Sequence, residues 1–239
     1  MSKTVTFQDL GSIDYKKAWE YQEKLFKKTL ADKLAKNAGN EETAPLSGYL
    51  LFCEHPHVYT LGKSGTENNL LINADFLKKI NATFYRIDRG GDITYHGPGQ
   101  LVGYPILNLE LFGLGIRQYI FNLEEAVILT LKHYGLKASR LNSASGVWLD
   151  ISDPLKARKI CAIGVRASRY VTMHGFAFNI NTDLNYFSHI NPCGFKDKGV
   201  TSMEKELGSS QDIDQVKEKL KNNLSSVFSM ELEDNLVNL

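Results

Sequence analysis

The feature that most constrains the fold is a glycine-rich polar stretch, residues 89–100, that lies between two apolar segments. It contains four glycines and one proline, residue types that end helices and form tight turns. The apolar segments 83–87 and 101–107 on either side have the length and composition of strands. The centre of the chain is therefore predicted to be a sheet with tight connections. The predicted strand 93–96 contains Thr94 and His96, and Asp92 lies just before it. These side chains are two residues apart, so they would share one face of the strand.

The rest of the chain extends this pattern on both sides. Three-and-four spacing of apolar residues predicts helices over 14–36, 116–134 and 213–228, with Asp14 as an N-cap and Gly135 after the second helix. Strands joined by turns outnumber strands joined by helices, which favours an α+β fold over a doubly wound one. We therefore predict a mixed, mostly antiparallel sheet flanked by helices. Its remaining strands are predicted over 48–53, 57–61, 147–149, 159–165 and 171–180.

Composition and charge limit the cellular compartment and the partners that are expected for the protein. The formal net charge is +1, so no strong overall field attracts nucleic acid or a membrane surface. The N-terminus lacks the apolar run of a signal peptide, and no stretch approaches the ~20 apolar residues of a membrane span. Three scattered cysteines suit a reducing compartment. We expect one cytoplasmic domain over residues 1–239, with no nucleic-acid or membrane partner.

Two further segments carry side chains suited to chemistry. Lys159 begins an apolar strand, and desolvation of a lysine lowers its pKa and makes it a usable base. Cys193 lies in the turn Asn191-Pro192-Cys193-Gly194, which can present a thiol at the rim of a pocket. Each residue also has a purely structural interpretation, as a solvated strand end or an ordinary turn cysteine. The two residues alone therefore do not identify a reaction.

Two other patterns fail their tests. Residues 61–64 resemble the end of a phosphate-binding P-loop, but His57 stands where that motif requires a glycine. His55 and His57 flank a proline without the H-E-x-x-H or C-x-x-C spacing of metal sites. We therefore expect neither a phosphate loop nor a metal site.

Five segments, taken together, resemble the octanoyltransferase family, also called lipoate-protein ligase B. The family pattern R-G-G-x-x-T-aromatic-H-x-x-G-Q is met over 89–100, and K-I-x-A-I-G-V-R is met over 159–166. H-G-F-A-x-N is met over 174–179 and N-P-C-G over 191–194. E-H-P-x-V-Y-T-L-G is met over 54–62.

The resemblance covers about residues 7–207 and implies an α+β fold related to the catalytic domains of biotin and lipoate ligases. It implies transfer of an octanoyl group from acyl carrier protein, with Cys193 as the acyl-thioester residue and Lys159 lowering the pKa of the thiol. The implied acceptors are lipoyl domains of 2-oxoacid dehydrogenase complexes and the glycine cleavage H protein. No ATP or metal is expected, since the donor is already a phosphopantetheine thioester. The implied substrate contacts are Arg89, Gly90, Gly91, Asp92, Ile93, Thr94, Tyr95, His96, Ala162, Ile163, Gly164, Gly175, Phe176 and Ala177.

Several details of this site stay open at the level of sequence. Backbone N–H groups of 162–164 or of the turn 97–99 could hold the developing oxyanion. An apolar slot for the acyl chain is expected in the strands around Ile163 and Phe176. Cys161 stands where the family usually has a small residue, and strand alternation would turn it the same way as the lysine at 159. Candidates for binding an acidic carrier protein are Lys156, Arg158, Arg166 and Arg169.

Two other functions compete with this interpretation. An ATP-dependent lipoate or biotin ligase on the same fold makes an acyl-adenylate and needs no cysteine nucleophile. A non-enzymatic module would bind an acyl or lipoyl group without transferring it. Cys193 and the G-P-G-Q ending of the glycine-rich segment argue against the ligase. The presence of both Lys159 and Cys193 argues against the non-enzymatic module.

Overall fold

The computed structural model describes residues 3–37, 47–142, 144–191 and 199–235. The helices within these ranges are α1 (Tyr15–Asn37), α2 (Ala74–Lys79), α3 (Leu109–Phe112), α4 (Ile116–His133), α5 (Met203–Leu207) and α6 (Ile213–Phe228). The strands are β1 (Thr4–Ser12), β2 (Gly48–Glu54), β3 (Val58–Leu61), β4 (Thr83–Arg86), β5 (Ile93–His96), β6 (Gln100–Leu107), β7 (Ala138–Leu141), β8 (Ala144–Leu149), β9 (Arg158–Ser168), β10 (Val171–Asn179), β11 (Gly199–Val200) and β12 (Glu231–Asp234).

The described strands form one large and one small sheet. The large sheet has nine strands in the order β12-β1-β2-β6-β10-β9-β8-β7, with β11 paired to β9. Antiparallel pairing runs without interruption from β2 to β7, whereas β12, β1 and β2 are parallel to one another. The small sheet has the order β4-β3-β5 and is also mixed. The predicted mixed, mostly antiparallel sheet is confirmed.

The two faces of the large sheet are covered by different helices. On the first, which we call the α4/α6 face, Leu123 and Leu220 pack in one apolar core with Phe178 of β10. On the second, which we call the α1 face, Leu25 packs in a separate core with Ala177 of β10. Burying a leucine side chain contributes ~1.5–3 kcal/mol, so these two cores hold the helices against the sheet.

The ends of the long helices follow from local chemistry. Asp14 precedes α1, and its Oδ1 accepts a hydrogen bond from the Lys17 N–H at 3.1 Å, as an N-cap does. Asp212 caps α6 in the same way by accepting from the N–H groups of Asp214 and Gln215. Gly135 lies two residues after the end of α4 with φ +75°, a left-handed conformation that favours glycine. The predicted helices are therefore confirmed, with ends within one residue of the prediction.

Candidate active site

A cavity of about 790 Å³ is lined by strands of both sheets. Strand β5 of the small sheet contributes Thr94 and His96, and β6 of the large sheet contributes Val102. Tyr15, the first residue of α1, closes another side, and its ring stacks on that of His96 with centroids 5.8 Å apart. Residues far apart in the chain, from the first helix to the strands at its centre, therefore meet around one space.

The floor of the cavity is made of small residues on β9 and β10. Ala162 pairs with Ala177 across the two strands, and Gly164 pairs with Gly175. All four line the cavity, and Ala177 belongs to the core on the α1 face. The absence of large side chains leaves open space above the sheet, which is where an acyl chain could lie.

The arginine of the glycine-rich segment organises its own loop. Its guanidinium donates to the carbonyl oxygens of Gly90, Asp92 and Thr60 at 2.8, 2.7 and 3.2 Å. Arg89 also lies directly over Gly164, where an added Cβ would come within 2.7 Å of its Cδ and Nη1 atoms. Glycine at 164 is therefore required for the loop to dock on β9.

Lys159 lines the cavity with its amine over an aromatic ring. Its Nζ lies 4.7 Å from the centroid of the Trp148 ring, a cation–π geometry. Burial lowers the pKa of Lys159 to about 8; the Arg89 guanidinium also lowers it, whereas the Cys161 thiol and the Glu124 carboxylate act in the opposite direction. A lysine with this pKa can both hold and release a proton near neutral pH.

A β-bulge separates Lys159 from Cys161. Val147 of β8 pairs with Cys161, but the next residue, Trp148, pairs with Lys159, so β9 carries one extra residue opposite β8. The extra residue reverses the alternation of side chains along β9. Cys161 is fully buried in the core of the α4/α6 face and does not line the cavity. The expectation that strand alternation would turn Lys159 and Cys161 to the same side is therefore wrong.

Cys193 lies outside the described residues, together with the rest of 192–198. The described residues that flank this range, Asn191 and Gly199, both line the cavity. Asn191 is also fixed to the fold, because its N–H donates to the Asn69 carbonyl oxygen at 2.8 Å. Gly199 is fixed on the other side, where its N–H donates to the Ala157 carbonyl oxygen at 3.1 Å.

The structure divides the expected substrate contacts into two groups. Gly90 and Tyr95 do not line the cavity: the Gly90 N–H donates to the Val165 carbonyl oxygen at 3.1 Å, and the Tyr95 hydroxyl bonds His57 Nδ1 at 2.8 Å. Tyr95 points away because its neighbours on β5 occupy the cavity face. The expected contacts that do line the cavity are Arg89, Gly91, Asp92, Ile93, Thr94, His96, Ala162, Ile163, Gly164, Gly175, Phe176 and Ala177.

The structure also shows which of the residues left as alternatives by the sequence border the cavity. Residues 162–164 line the cavity, whereas the turn 97–99 does not, and the Gly99 N–H already donates to Glu54 Oε2 at 2.8 Å. The side chains of Ile163 and Phe176 pack with the core of the α4/α6 face. Both residues also border the cavity, and the small residues on either side of each form its floor.

Three of the four expected carrier-binding residues are engaged within the chain. Arg158 pairs with Glu206 at 2.6 Å and Asp150 at 2.5 Å, and Arg166 pairs with Asp88 at 2.5 Å. The exposed Lys156 pairs with Asp153 at 3.4 Å, and Arg169 is also exposed. Local carboxylates therefore offset much of this positive charge.

Sequence reasoning missed several residues of the cavity wall. Tyr15, Tyr104, Trp148 and Lys205 all line it, although none lies within the glycine-rich segment. Trp148 is adjacent in space only because β8 pairs with β9, a contact that no short sequence pattern reveals. Asn179 also lines the cavity and closes one of the motifs, so the signal for this residue was present in the sequence.

In the part of the chain that the structure describes, no group of three or more His, Cys, Asp and Glu side chains could hold a metal ion. His55, excluded above as a ligand, instead bonds the Ile13 carbonyl oxygen and the Tyr104 hydroxyl, each at 2.7 Å. No described helix is both long and apolar enough to cross a membrane.

Comparison with known proteins identifies relatives of this chain in sequence and in fold. The lipoyl protein ligase A/B catalytic domain matches residues 14–225. An octanoyltransferase of Christiangramia forsetii is 56% identical over 98% of this chain and 99% of its own length. A solved bi-partite lipoate protein ligase from Thermoplasma acidophilum has a TM-score of 0.67 at 15% identity, covering 98% of this chain and 88% of that one. Biotin protein ligase from Aquifex aeolicus has a TM-score of 0.52 at 15% identity, covering 94% and 70%. The predicted relation to biotin and lipoate ligase folds is confirmed.

Proposed function

The chain belongs to the octanoyltransferases of the lipoyl protein ligase A/B catalytic domain family, and from that membership we propose a two-step acyl transfer through Cys193. An octanoyl group moves from acyl carrier protein to the thiol, and from the thiol to a lysine of a lipoyl domain. The observation that carries this proposal is Lys159, a buried amine with a pKa of about 8 on the wall of a cavity with a small-residue floor. We further propose that residues 1–239 act as one catalytic domain.

In the first step, the Cys193 thiolate attacks the carbonyl carbon of the phosphopantetheine thioester. A new carbon–sulfur bond forms to Cys193, and the bond to the phosphopantetheine sulfur breaks. The protonated Lys159 stabilises the attacking thiolate and gives a proton to the departing thiolate. One thioester replaces another, so this step needs no ATP.

In the second step, the amine of the acceptor lysine attacks the acyl group on Cys193. Neutral Lys159 accepts a proton from that amine, an amide bond forms, and Cys193 leaves as a thiolate. The amine and the thiol would titrate as a coupled pair, so the proton positions belong to the pair. The net reaction turns a thioester into an amide and a free thiol, which is downhill.

The position of Cys193 in the chain supports its role. It follows Asn191 by two residues, and two peptide units span at most ~7 Å. Since Asn191 lines the cavity, Cys193 is close enough along the chain for its thiol to reach the cavity. Backbone N–H groups of 162–164 are the better candidates for the oxyanion, because the turn 97–99 does not line the cavity.

The proposed substrates follow from the same family membership. We propose octanoyl-acyl carrier protein as donor, and lipoyl domains of 2-oxoacid dehydrogenase complexes and the glycine cleavage H protein as acceptors. Work in the cytoplasm fits the two described cysteines, Cys53 and Cys161, which are both free thiols. We propose that neither ATP nor a metal takes part.

A transfer assay with and without ATP tests the proposal. Purified protein is incubated with octanoyl-acyl carrier protein and a lipoyl domain, and the mass of the lipoyl domain is followed over time. We expect modification at the same rate in both conditions, and none when free octanoate replaces the thioester. Modification that requires ATP and proceeds from free octanoate would instead identify a ligase. Binding without transfer would identify the non-enzymatic module.

A further inference from the structure

A chain of buried polar side chains runs from the small sheet over β6 and β10 of the large sheet, along the wall of the cavity. His96 Nδ1 lies 2.8 Å from Gln100 Oε1, so the ring N–H donates to the amide oxygen. Gln100 Nε2 donates to Asn179 Oδ1 at 2.8 Å, and Asn179 Nδ2 donates to the Thr201 carbonyl oxygen at 3.0 Å. We call His96, Gln100, Asn179 and Thr201 the amide relay. It joins β5, β6 and β10 to the residue that follows β11.

Each member of the amide relay fixes the orientation of the next. Because Gln100 presents its oxygen to the His96 N–H, its nitrogen must face Asn179. Asn179 therefore presents its own oxygen to Gln100, which leaves its nitrogen for Thr201. Gln100 and Asn179 are 1% and 4% exposed, so water cannot easily replace these partners. Reversing either amide would bring two donors or two acceptors together.

The last member of the relay holds the backbone of Lys159. The Thr201 N–H donates to the Lys159 carbonyl oxygen at 2.9 Å, and Val200 pairs with Lys159 in the sheet. The Thr201 hydroxyl also donates to Glu206 Oε1 at 2.5 Å. Strand β11 has only two residues, so these side-chain bonds add to the backbone bonds that Gly199 and Thr201 make with Ala157 and Lys159 in fixing its position.

Lys159 depends on this support because of where it lies. Strand β8 pairs with β9 through the bulge, so the ladder on that side is irregular at Lys159. Strand β11 is its partner on the other side. We propose that Gln100 and Asn179 are positioning residues for the acyl transfer, because they hold β11 in place and thereby set the position of Lys159. This inference rests on the function proposed above, and neither amide needs to touch the substrate for it to hold.

Two isosteric variants test the inference. Asn179→Asp replaces the donor to Thr201 with an oxygen that repels the carbonyl, while still accepting from Gln100. Gln100→Glu keeps the acceptor for His96 but places an oxygen against Asn179, which turns that amide away from Thr201. The matched controls are Gln118→Glu and Asn122→Asp. This second glutamine–asparagine pair bonds at 2.8 Å on α4, away from the cavity.

We expect kcat to fall about 100-fold in both relay variants, since a displacement near 1 Å has that effect on a transfer reaction. The KM for the acyl donor should stay within about threefold of wild type, because both side chains line the cavity but keep their size and shape in the variants. The pH midpoint of the second step should rise above the wild-type value, since a displaced Lys159 loses part of its burial and the new carboxyl group on the cavity wall acts in the same direction. Hydrogen exchange at residues 199–201 should become faster.

The outcomes separate this inference from the function on which it rests. Assays run well below the melting temperature of each variant, so that loss of folded protein does not contribute to the rates. If wild type transfers the acyl group but both relay variants keep kcat and the pH midpoint, the positioning role is wrong. The same holds if the α4 controls lose as much kcat as the relay variants. If wild type transfers nothing, the proposed function itself has failed. Should Asn179→Asp not fold, Gln100→Glu decides.

Discussion

The two faces of strand β9 differ in the reactivity of the side chains that they carry. On the cavity side, Lys159 lies above a floor that includes Ala162 and Gly164, and burial lowers its pKa to about 8. On the other side, Cys161 lies in the apolar core with Ile163 packed nearby, and burial raises the pKa of its thiol well above the usual value. A single extra residue at the bulge separates a reactive amine from an unreactive thiol.

The largest effect is expected on the cavity side, at Lys159. Lys159→Ala removes both charge and base, so we expect both acylation and deacylation to fall by about 100-fold or more. Lys159→Arg keeps a positive charge but cannot release its proton. The arginine variant should therefore still form acyl-enzyme and then accumulate it, because the second step is slowed more than the first. Rapid-quench measurement of the two steps gives both rates.

The pH dependence of the second step tests independently whether Lys159 acts as a base. Because the pKa of Lys159 is lowered to about 8, its neutral fraction rises as pH passes through that value. Wild-type deacylation should rise with pH and level off above about 8, whereas the arginine variant should lack this transition. If the arginine variant slowed both steps equally, Lys159 would act only through its charge or by positioning the reacting groups, and not as a base.

A smaller effect is expected where the arginine loop docks on the cavity side of β9. Gly164→Ala adds a methyl group that would lie 2.7 Å from Arg89 Cδ and 2.9 Å from the Gly90 carbonyl oxygen. The loop must move, and we expect the transfer rate to fall by roughly 10-fold to 100-fold. Gly115→Ala is the matched control, since an added Cβ there meets no atom within 4 Å. A variant at 164 with the wild-type rate would show that the loop position does not matter.

Much of the fold could be predicted because its signals are local. Strand β5 and helix α6 have the predicted bounds, since apolar spacing and caps are written in the nearby sequence. The edge strands β7 and β12 were not predicted. The latter reads Glu-Leu-Glu-Asp, and a charged segment of this kind becomes a strand only because β1 pairs with it. Strand β1 does alternate Thr4, Val5, Thr6 and Phe7, a signal that could have found it.

The sequence predicted those site residues that lie within its recognisable motifs. Arg89 and Lys159 were named from sequence, and the fold brings both to one cavity. The bulge at Lys159 was not predictable, because it depends on how β8 pairs with β9, and that pairing is not local. Strand alternation therefore gave the wrong side for Cys161. Tyr15 and Trp148 were missed for the same reason, since only tertiary packing brings them to the cavity.

The smallest effect is expected on the core side of β9. Cys161→Ala removes a fully buried sulfur atom, so we expect a loss of about 1 kcal/mol in the free energy of unfolding. Transfer should stay within about twofold of wild type, because this side chain does not line the cavity. Cys53→Ala, at another fully buried free cysteine, should behave alike. A tenfold loss of transfer in Cys161→Ala alone would give Cys161 a part in catalysis.

The most direct test of the account is to locate the acyl group on the protein. Wild type, Cys161→Ala and Cys193→Ala are each incubated with octanoyl-acyl carrier protein without an acceptor, quenched in acid and mapped by peptide mass spectrometry. We expect an octanoyl adduct on Cys193 in wild type and in Cys161→Ala, and no adduct in Cys193→Ala. An adduct on Cys161, or one that survives in Cys193→Ala, would contradict it.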